Sequence, residues 1–516
     1  MAVPARRDGM VRTAADGTEK TVYLHGNEFF HYTTDAEGNW LDEETLMPLS
    51  EEQKAARLNA GKARARAHRA LQEQKSGVER LLAPRGPVIL VSYPDKAFSN
   101  DNEGMTEWAM GDNYTYNGAT GSIHQYFYDQ SWGQYDLQID VYGPVTVSKE
   151  LEYYGKDSGG EGNDQHPDEL IVEACKLAHD SLGADFSQYD SNGDGYVDWV
   201  VILYAGKGQA DGGTANTIWP HQYDLSRTQK AFTLDGKKVD HYCCLNEIDG
   251  QTNKRCGIGT FCHEFSHVMG LPDLYSTDQY ATHKTMGMWD IMDYGPYNNG
   301  GNTPPAYSAY ERWWMGWIEP TLLNSASSVV LGNLSDAGSA CYMTANGNAI
   351  SNIISPSPNV FYMLENRQQL GWDYYIPGHG MLITKVNYRY NWWYGNSVNN
   401  TASNMGVDLL EADGSAPSYS ISNRNNGYFG KQGDAYPSGS DSFTTVTNYQ
   451  VTDITEEDGL ITFKVNGGGE EINLGVKNVN CEEANGRWTK VLRDGQILIQ
   501  RGDKIYDLFG RIITAL

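Results

Sequence analysis

The stretch from His263 to Asp273 narrows the choice of fold more than any other part of the 516-residue chain. It reads His263-Glu264-Phe265-Ser266-His267-Val268-Met269-Gly270-Leu271-Pro272-Asp273. Two histidines four residues apart on a helix stand one turn apart on the same face, so both imidazoles can reach one ion. Glu264 lies roughly 100° round the helix from His263, near enough to address a water on that ion. Phe265, Val268 and Met269 supply apolar flanks that bury the rest of the helix. Gly270 stands where a left-handed cap would end it, and Pro272 forbids resumption, so the chain can turn back and present Asp273. Two imidazoles, one carboxylate and an open fourth position describe a catalytic zinc site. Its ligands are His263, His267 and Asp273, and Glu264 is its base.

The segment Met286-Gly287-Met288-Trp289-Asp290-Ile291-Met292-Asp293-Tyr294-Gly295 follows. HExxHxxGxxD with a later Met-x-Tyr turn resembles the metzincin clan of zinc endopeptidases. The words HEFSHVMGLPDLY and WDIMDYG are similar to the secreted immune inhibitor A-type metallopeptidases, which also carry an aspartate where most metzincins have a third histidine. The resemblance covers about residues 86–320. It implies that Met292 forms a hydrophobic floor beneath the zinc and that Tyr294 is a mobile ligand or an oxyanion stabiliser.

Composition excludes some function classes. The formal charge of −27 argues against nucleic-acid binding, which needs a basic footprint. Residues 1–85 hold 13 Lys/Arg and 13 Asp/Glu, so the net negative charge belongs to the remainder. No run of 18 apolar residues occurs, so no membrane span is expected. The opening Met1-Ala2-Val3-Pro4-Ala5-Arg6-Arg7 lacks an apolar stretch, which suggests a start already trimmed of any signal peptide. The acidic, Tyr-, Trp-, Gly- and Asn-rich body suggests a secreted or cell-surface protein. The seven cysteines contain no CxxC pair, so a cysteine-based structural zinc site is not expected.

Residues 1–85 read as a pro-segment. A β-like passage, Thr21–Tyr32, leads through a turn at 35–39 to a capping-box start at Ser50-Glu51-Glu52-Gln53 and an Ala/Arg-rich helix to about residue 82. Ala83-Pro84-Arg85-Gly86-Pro87 reads as a protease-sensitive linker. Such a segment would act as an intramolecular inhibitor. No cysteine precedes Cys175, so the blocking group would be an Asp, Glu or His, or plain steric cover.

The expected architecture is an α/β metzincin-like zinc peptidase domain at 86–320. An N-terminal α+β pro-segment precedes it, and a C-terminal antiparallel β-sandwich at 321–466 follows. Val88–Tyr93 and Trp199–Tyr204 read as buried strands, and Pro167–Leu182 as a helix with Leu170, Ile171, Ala174, Cys175, Ala178 and Leu182 on one stripe. Val239–Cys244 alternates and is expected to be the edge strand that lines a peptide cleft. His221, in a stretch that again resembles the peptidase family, reads as structural. Asp190, Asn192, Asp194 and Asp198 follow the first half of a calcium loop, but position twelve is Val201 instead of glutamate. Asp408, Glu411, Asp413 and Asp434 read as a solvated loop before a second calcium site. Residues 467–516 form a tail that weakly resembles a Por-type secretion sorting segment.

The function these readings point to is a secreted zinc endopeptidase made as a zymogen and acting on protein or peptide substrates, with Zn2+ and a candidate Ca2+ site. The alternative is a cell-surface binding or adhesion protein that uses the β-sandwich on an inactive peptidase scaffold. A zinc aminopeptidase is disfavoured, because its third ligand usually comes from a second helix much further along.

Overall fold

The computed structural model describes residues 2–14, 16–27, 30–59, 84–157, 164–278, 281–423 and 425–475, and the backbone of 488–493, 496–501, 504–506 and 512–515. It separates into two units, Met1–Gly475 and Val476–Leu516. Most of the basic helix expected to reach residue 82 lies outside the described residues; residues 51–59 are helical (α1).

The N-terminal residues form a four-stranded antiparallel meander. Its strands are β1 (Met10–Thr13), β2 (Glu19–Asn27), β3 (Phe30–Thr34) and β4 (Trp40–Leu41).

Apolar runs buried at almost every residue read as strands covered on both faces, and they make the centre of the catalytic body. These are β5 (Arg85–Ser92) and β7 (Val200–Lys207). The other strands are β6 (Gln138–Thr146), β8 (His221–Asp224), a separate β9–β10 hairpin (Phe232–Leu234 and Lys237–Val239) and β11 (His241–Ile248). The sheet order is β6-β5-β7-β11-β8, parallel except for the antiparallel edge strand β8.

Two expectations are corrected here. Residues 85–87 belong to the first central strand instead of a linker. Pro87 is tolerated because it pairs only with Asp140 of β6, and β7 joins from Val88 onward. Gly86 is needed because a Cβ there would stand 2.5 Å from the Trp199 ring. Of the expected edge strand at 239–244, Val239 ends β10 and residues 241–244 lie inside the sheet in β11, between β7 and β8, and β8 is the edge.

Helices α2 (Asn102–Met110), α3 (Ile123–Gln130), α4 (Leu151–Gly155) and α5 (Pro167–Leu182) flank the sheet. On α5 the stripe of Leu170, Ile171, Ala174, Cys175 and Ala178 is buried, whereas Leu182 is exposed at the helix end. Helix α6 (Gly259–Val268) packs on β8 and β11, and α7 (Ala309–Met315) follows.

The C-terminal part of the first unit holds two sheets. One runs from residue 321 to 409, ordered β12 (Thr321–Leu322), β14 (Cys341–Met343), β15 (Val360–Arg367), β16 (Gly380–Asn387) and β17 (Val407–Leu409). The other is ordered β18 (Val451–Glu457), β19 (Leu460–Val465), β13 (Ser327–Leu331) and β20 (Glu470–Leu474). Val329, Leu331, Leu364, Ile383, Ile461 and Phe463 share one apolar cluster between them. The pairings are not wholly antiparallel, since β12–β14 and β13–β20 are parallel. Because β20 pairs with β13, residues 470–474 belong to this region and not to the tail. The second unit carries an antiparallel meander of four short strands, Trp488–Arg493, Gln496–Arg501, Lys504–Tyr506 and Ile512–Ala515.

Candidate active site

Helix α6 is buried almost throughout, His263, Glu264 and His267 included. It begins against the 3-10 segment Gly295–Gly301, and Gly259 is required there because a Cβ would stand 2.0 Å from the Pro296 carbonyl. It ends as the sequence suggests: Gly270 takes φ +98°, its N–H bonds to His267 O, and the Leu271 N–H bonds to Ser266 O. That turn has two products. It swings the Leu271 carbonyl back so that His267 Nδ1 lies 2.8 Å from it, and it delivers Asp273 to the histidines.

His263 Nδ1 meets the Ile291 carbonyl at 2.7 Å. Both Nδ1 atoms therefore carry the ring proton and donate it, which leaves both Nε2 atoms as bare lone pairs. The two Nε2 atoms stand 3.1 Å apart, and Asp273 Oδ1 lies 3.1 Å from one and 3.2 Å from the other. Burial holds the His267 pKa down to about 4, so the ring is neutral. Asp273 Oδ1 is buried and accepts no hydrogen bond among the described residues. Three electron-rich atoms facing one another in a dry site call for a cation. Ligands about 2 Å from a tetrahedral zinc would stand roughly 3.3 Å apart, so the spacing fits that ion.

Asp273 is also held from a distance that sequence spacing does not reveal. Its Oδ2 accepts from Asn396 Nδ2 at 2.5 Å, and its N–H donates to Asn396 Oδ1 at 2.8 Å. Asn396 follows β16, more than a hundred residues away in sequence. Nearby, Trp393 donates to the Gly270 carbonyl and packs on Tyr310 and Trp314, so it is core instead of an exposed loop aromatic. Met292 is fully buried, and its carbonyl receives the Leu274 N–H. The neighbouring Ile291 carbonyl is the one that orients His263. Tyr294 lies instead in an aromatic group with Tyr275 and Tyr428.

The N-terminus crosses this site. The Val3 N–H donates to Glu264 Oε1 at 2.6 Å. Tyr275, Trp219 and Tyr297 donate to the carbonyls of Ala2, Val3 and Pro4. The Ala5 N–H bonds to Gly26 O and the Arg6 N–H to Ala210 O. Of the two expected forms of cover, a side chain of Asp, Glu or His or plain steric cover, the group brought to Glu264 is a backbone amide and not such a side chain. The Arg7 guanidinium lies 4.2 Å from the Tyr419 ring centre and 5.4 Å from that of Tyr294.

Other sequence candidates lie elsewhere. His221 is buried between the Trp219 carbonyl and the Tyr242 hydroxyl, a structural place. Asp190, Asn192, Asp194 and Asp198 share one loop ahead of β7, where Lys237 Nζ lies 2.6 Å from Asp190 Oδ2. Glu411 and Asp434 are not a solvated loop. Both pair with the buried ammonium of Lys284, at 3.3 and 2.6 Å, and Trp289 Nε1 donates to Asp434.

Residues 95–317 match the model of the family described as immune inhibitor A peptidase M6, catalytic domain. The chain is 30% identical over 251 residues to the pre-pro-metalloprotease PrtV of two Vibrio cholerae serotype O1 strains, a match covering 43% of this chain and 25% of those proteins. It is 32% identical over 217 residues to immune inhibitor A of Bacillus thuringiensis subsp. alesti, covering 37% of this chain and 31% of that protein. The chain thus spans less than a third of the length of these relatives. Among its described residues no helix is long and apolar enough to cross a membrane. Residues 95–317 are thus similar to the catalytic domain of the immune inhibitor A (M6) metallopeptidases.

Proposed function

We propose that the protein is an exported zinc endopeptidase in its latent form, with metzincin-like chemistry. The observation that carries this reading is the contact of the Val3 N–H with Glu264 beside the His263–His267–Asp273 triad. Those three residues would hold the zinc, which when bound supplies Lewis acidity that brings the pKa of a water toward neutrality. Glu264 would serve as the base that accepts a proton from the attacking water and returns it to the departing amine. Met292 backs the site, and Tyr294 steadies the developing oxyanion once Arg7 has left its ring.

In the latent form the segment 2–7 fills the place of a substrate, so latency is steric cover by backbone. The names of the Vibrio relatives, pre-pro-metalloproteases, agree with a form that needs processing. The alternative of a binding protein on an inactive scaffold gains no support from the family match. Calcium at Asp190, Asn192, Asp194 and Asp198 is a second, separate proposal. The ion would have to displace Lys237 from Asp190.

Glu264→Ala tests the mechanism. The variant keeps one zinc per chain and its fold, and casein hydrolysis after removal of the N-terminal segment drops by roughly 10²–10⁴-fold. Hydrolysis equal to that of the parent would sink the mechanism.

A further inference from the structure

The N-terminal segment beside Glu264, residues 2–7, is read by the protein in two ways. From Ala2 to Ala5 the contacts are to backbone carbonyls and amides, and the side chains are small and apolar. Such contacts accept many sequences. Arg6 is different. Its Nη1 lies 2.9 Å from Asp211 Oδ1 and 2.7 Å from Asp249 Oδ2, and its Nη2 donates to Gln251 Oε1 at 2.9 Å. The guanidinium is almost wholly buried, as is Asp249.

Both carboxylates are set in place by the body, not by the segment. Asp211 Oδ2 accepts the Gly250 N–H, and Asp249 Oδ1 accepts from the Gln251 N–H, the Thr252 N–H and the Thr252 hydroxyl. Gly250 allows this approach, since a Cβ there would overlap the Asp211 carbonyl. Lys207 is engaged with the Gly250 carbonyl. Asp8, the remaining acid near Arg6, follows the segment and leaves with it. Each fixed carboxylate thus turns one oxygen toward the same point. With that segment gone, two close, largely buried carboxylates would face each other across that point, an arrangement that a cation between them would stabilise.

We propose that Asp211 and Asp249, with Gln251, form a substrate subsite for a basic residue, arginine ahead of lysine. The position it reads follows from the segment. The amide that meets Glu264 stands where the leaving nitrogen stands, so Val3 takes the place of the first residue after the cut and Arg6 the fourth. The planar fork of arginine satisfies Asp211, Asp249 and Gln251 together, whereas an ammonium reaches fewer of them. The inference rests on the peptidase reading given above.

The test uses the zinc-loaded full chain, activated by limited proteolysis and freed of its N-terminal segment. A peptide library is digested and the fourth residue after each cut is scored. Arginine is expected to be enriched about tenfold over alanine, and the enrichment is lost in the Asp211→Asn, Asp249→Asn double variant. A flat profile at that position, or enrichment that survives in the double variant, overturns the subsite. Calorimetry on the activated parent needs neither catalysis nor the variant. The peptide of residues 2–7 should bind at least tenfold more tightly than its Arg6→Ala counterpart, and equal affinities overturn the proposal. A parent that cuts nothing yet keeps this difference refutes the peptidase reading and leaves the subsite standing.

Discussion

Two places in this chain carry metal-site patterns in sequence, and the structure treats them differently. At His263, His267 and Asp273 both ring protons point outward to carbonyls, and the inward Asp273 Oδ1 has no donor among the described residues. At Asp190–Asp198 the oxygens already accept. Asp190 takes the N–H groups of Gly193, Asp194 and Gly195 and the ammonium of Lys237; Asp194 takes the Tyr196 N–H; Asp198 takes the Ser191 N–H. The first site is arranged as a cation would require, while at the second protein donors occupy the oxygens a cation would use. Where the protons point separates the two more sharply than spacing does.

The largest effect should come from the first site. His267→Ala is expected to reduce proteolysis to the assay background and zinc content from one per chain to near zero. Stripping the parent with a chelator should leave three facing lone-pair atoms uncompensated. At free zinc a thousandfold above Kd the lost stabilisation would be about 4 kcal/mol, read as a lower Tm for the first unit. A chelated protein that melts at an unchanged temperature would show that the triad is satisfied without metal, and the contrast between the two sites would collapse.

A middle-sized effect tests whether the C-terminal sheets complete the zinc site. Asn396→Ala removes both hydrogen bonds that orient Asp273. Zinc affinity, measured by competition with a chromophoric chelator, should fall by roughly 10–100-fold without being abolished. Unchanged affinity would confine the site to residues 263–273 and their immediate neighbours.

These two variants also mark how far the sequence could be read. The triad was legible because all three ligands and the turn between them lie within eleven residues, where helical spacing and the Gly270–Pro272 stop dictate geometry. Asn396 was not, because nothing local in a Gly/Asn-rich loop after β16 says which distant backbone it will meet. The Ile291 and Leu271 carbonyls were hidden for another reason, since backbone acceptors leave no trace in residue type. The route of residues 2–7 through the cleft and the Asp211–Asp249 pair around Arg6 depend on long-range folding in the same way. Where the reading was mistaken, local chemistry misled it. Gly86 and Pro87 look like breakers, yet one makes room for Trp199 and the other meets only one neighbouring strand. Residues 239–244 alternate in polarity like an edge strand, yet in β11 the six residues from Tyr242 to Glu247 are all buried. Helix α5 was read to both ends because its buried stripe is written in the residues themselves, whereas β5 and β7 were located by their apolar runs and each missed three residues at one end.

The smallest effect sharpens the second half of the comparison. Lys237 places its ammonium 2.6 Å from Asp190 Oδ2, where a calcium ion would draw its first ligand. Position twelve of the loop is Val201, in the buried strand β7, so no glutamate closes the site from within. The parent should therefore bind calcium weakly, in the millimolar range typical of sites short of ligands. Lys237→Met removes the competing cation while keeping much of the side-chain bulk. Affinity for calcium measured by calorimetry should then rise by about tenfold, as expected for exchanging a charge-assisted contact on one carboxylate. Zinc content and proteolysis should not change, because the loop shares no contact with the triad. If the parent already binds calcium at micromolar concentration, Lys237 is a group the ion displaces easily, and the loop is a working metal site whose donors rearrange. If Lys237→Met binds no better than the parent, the loop is a turn built from backbone-to-carboxylate hydrogen bonds, and its resemblance to a calcium loop stops at the sequence.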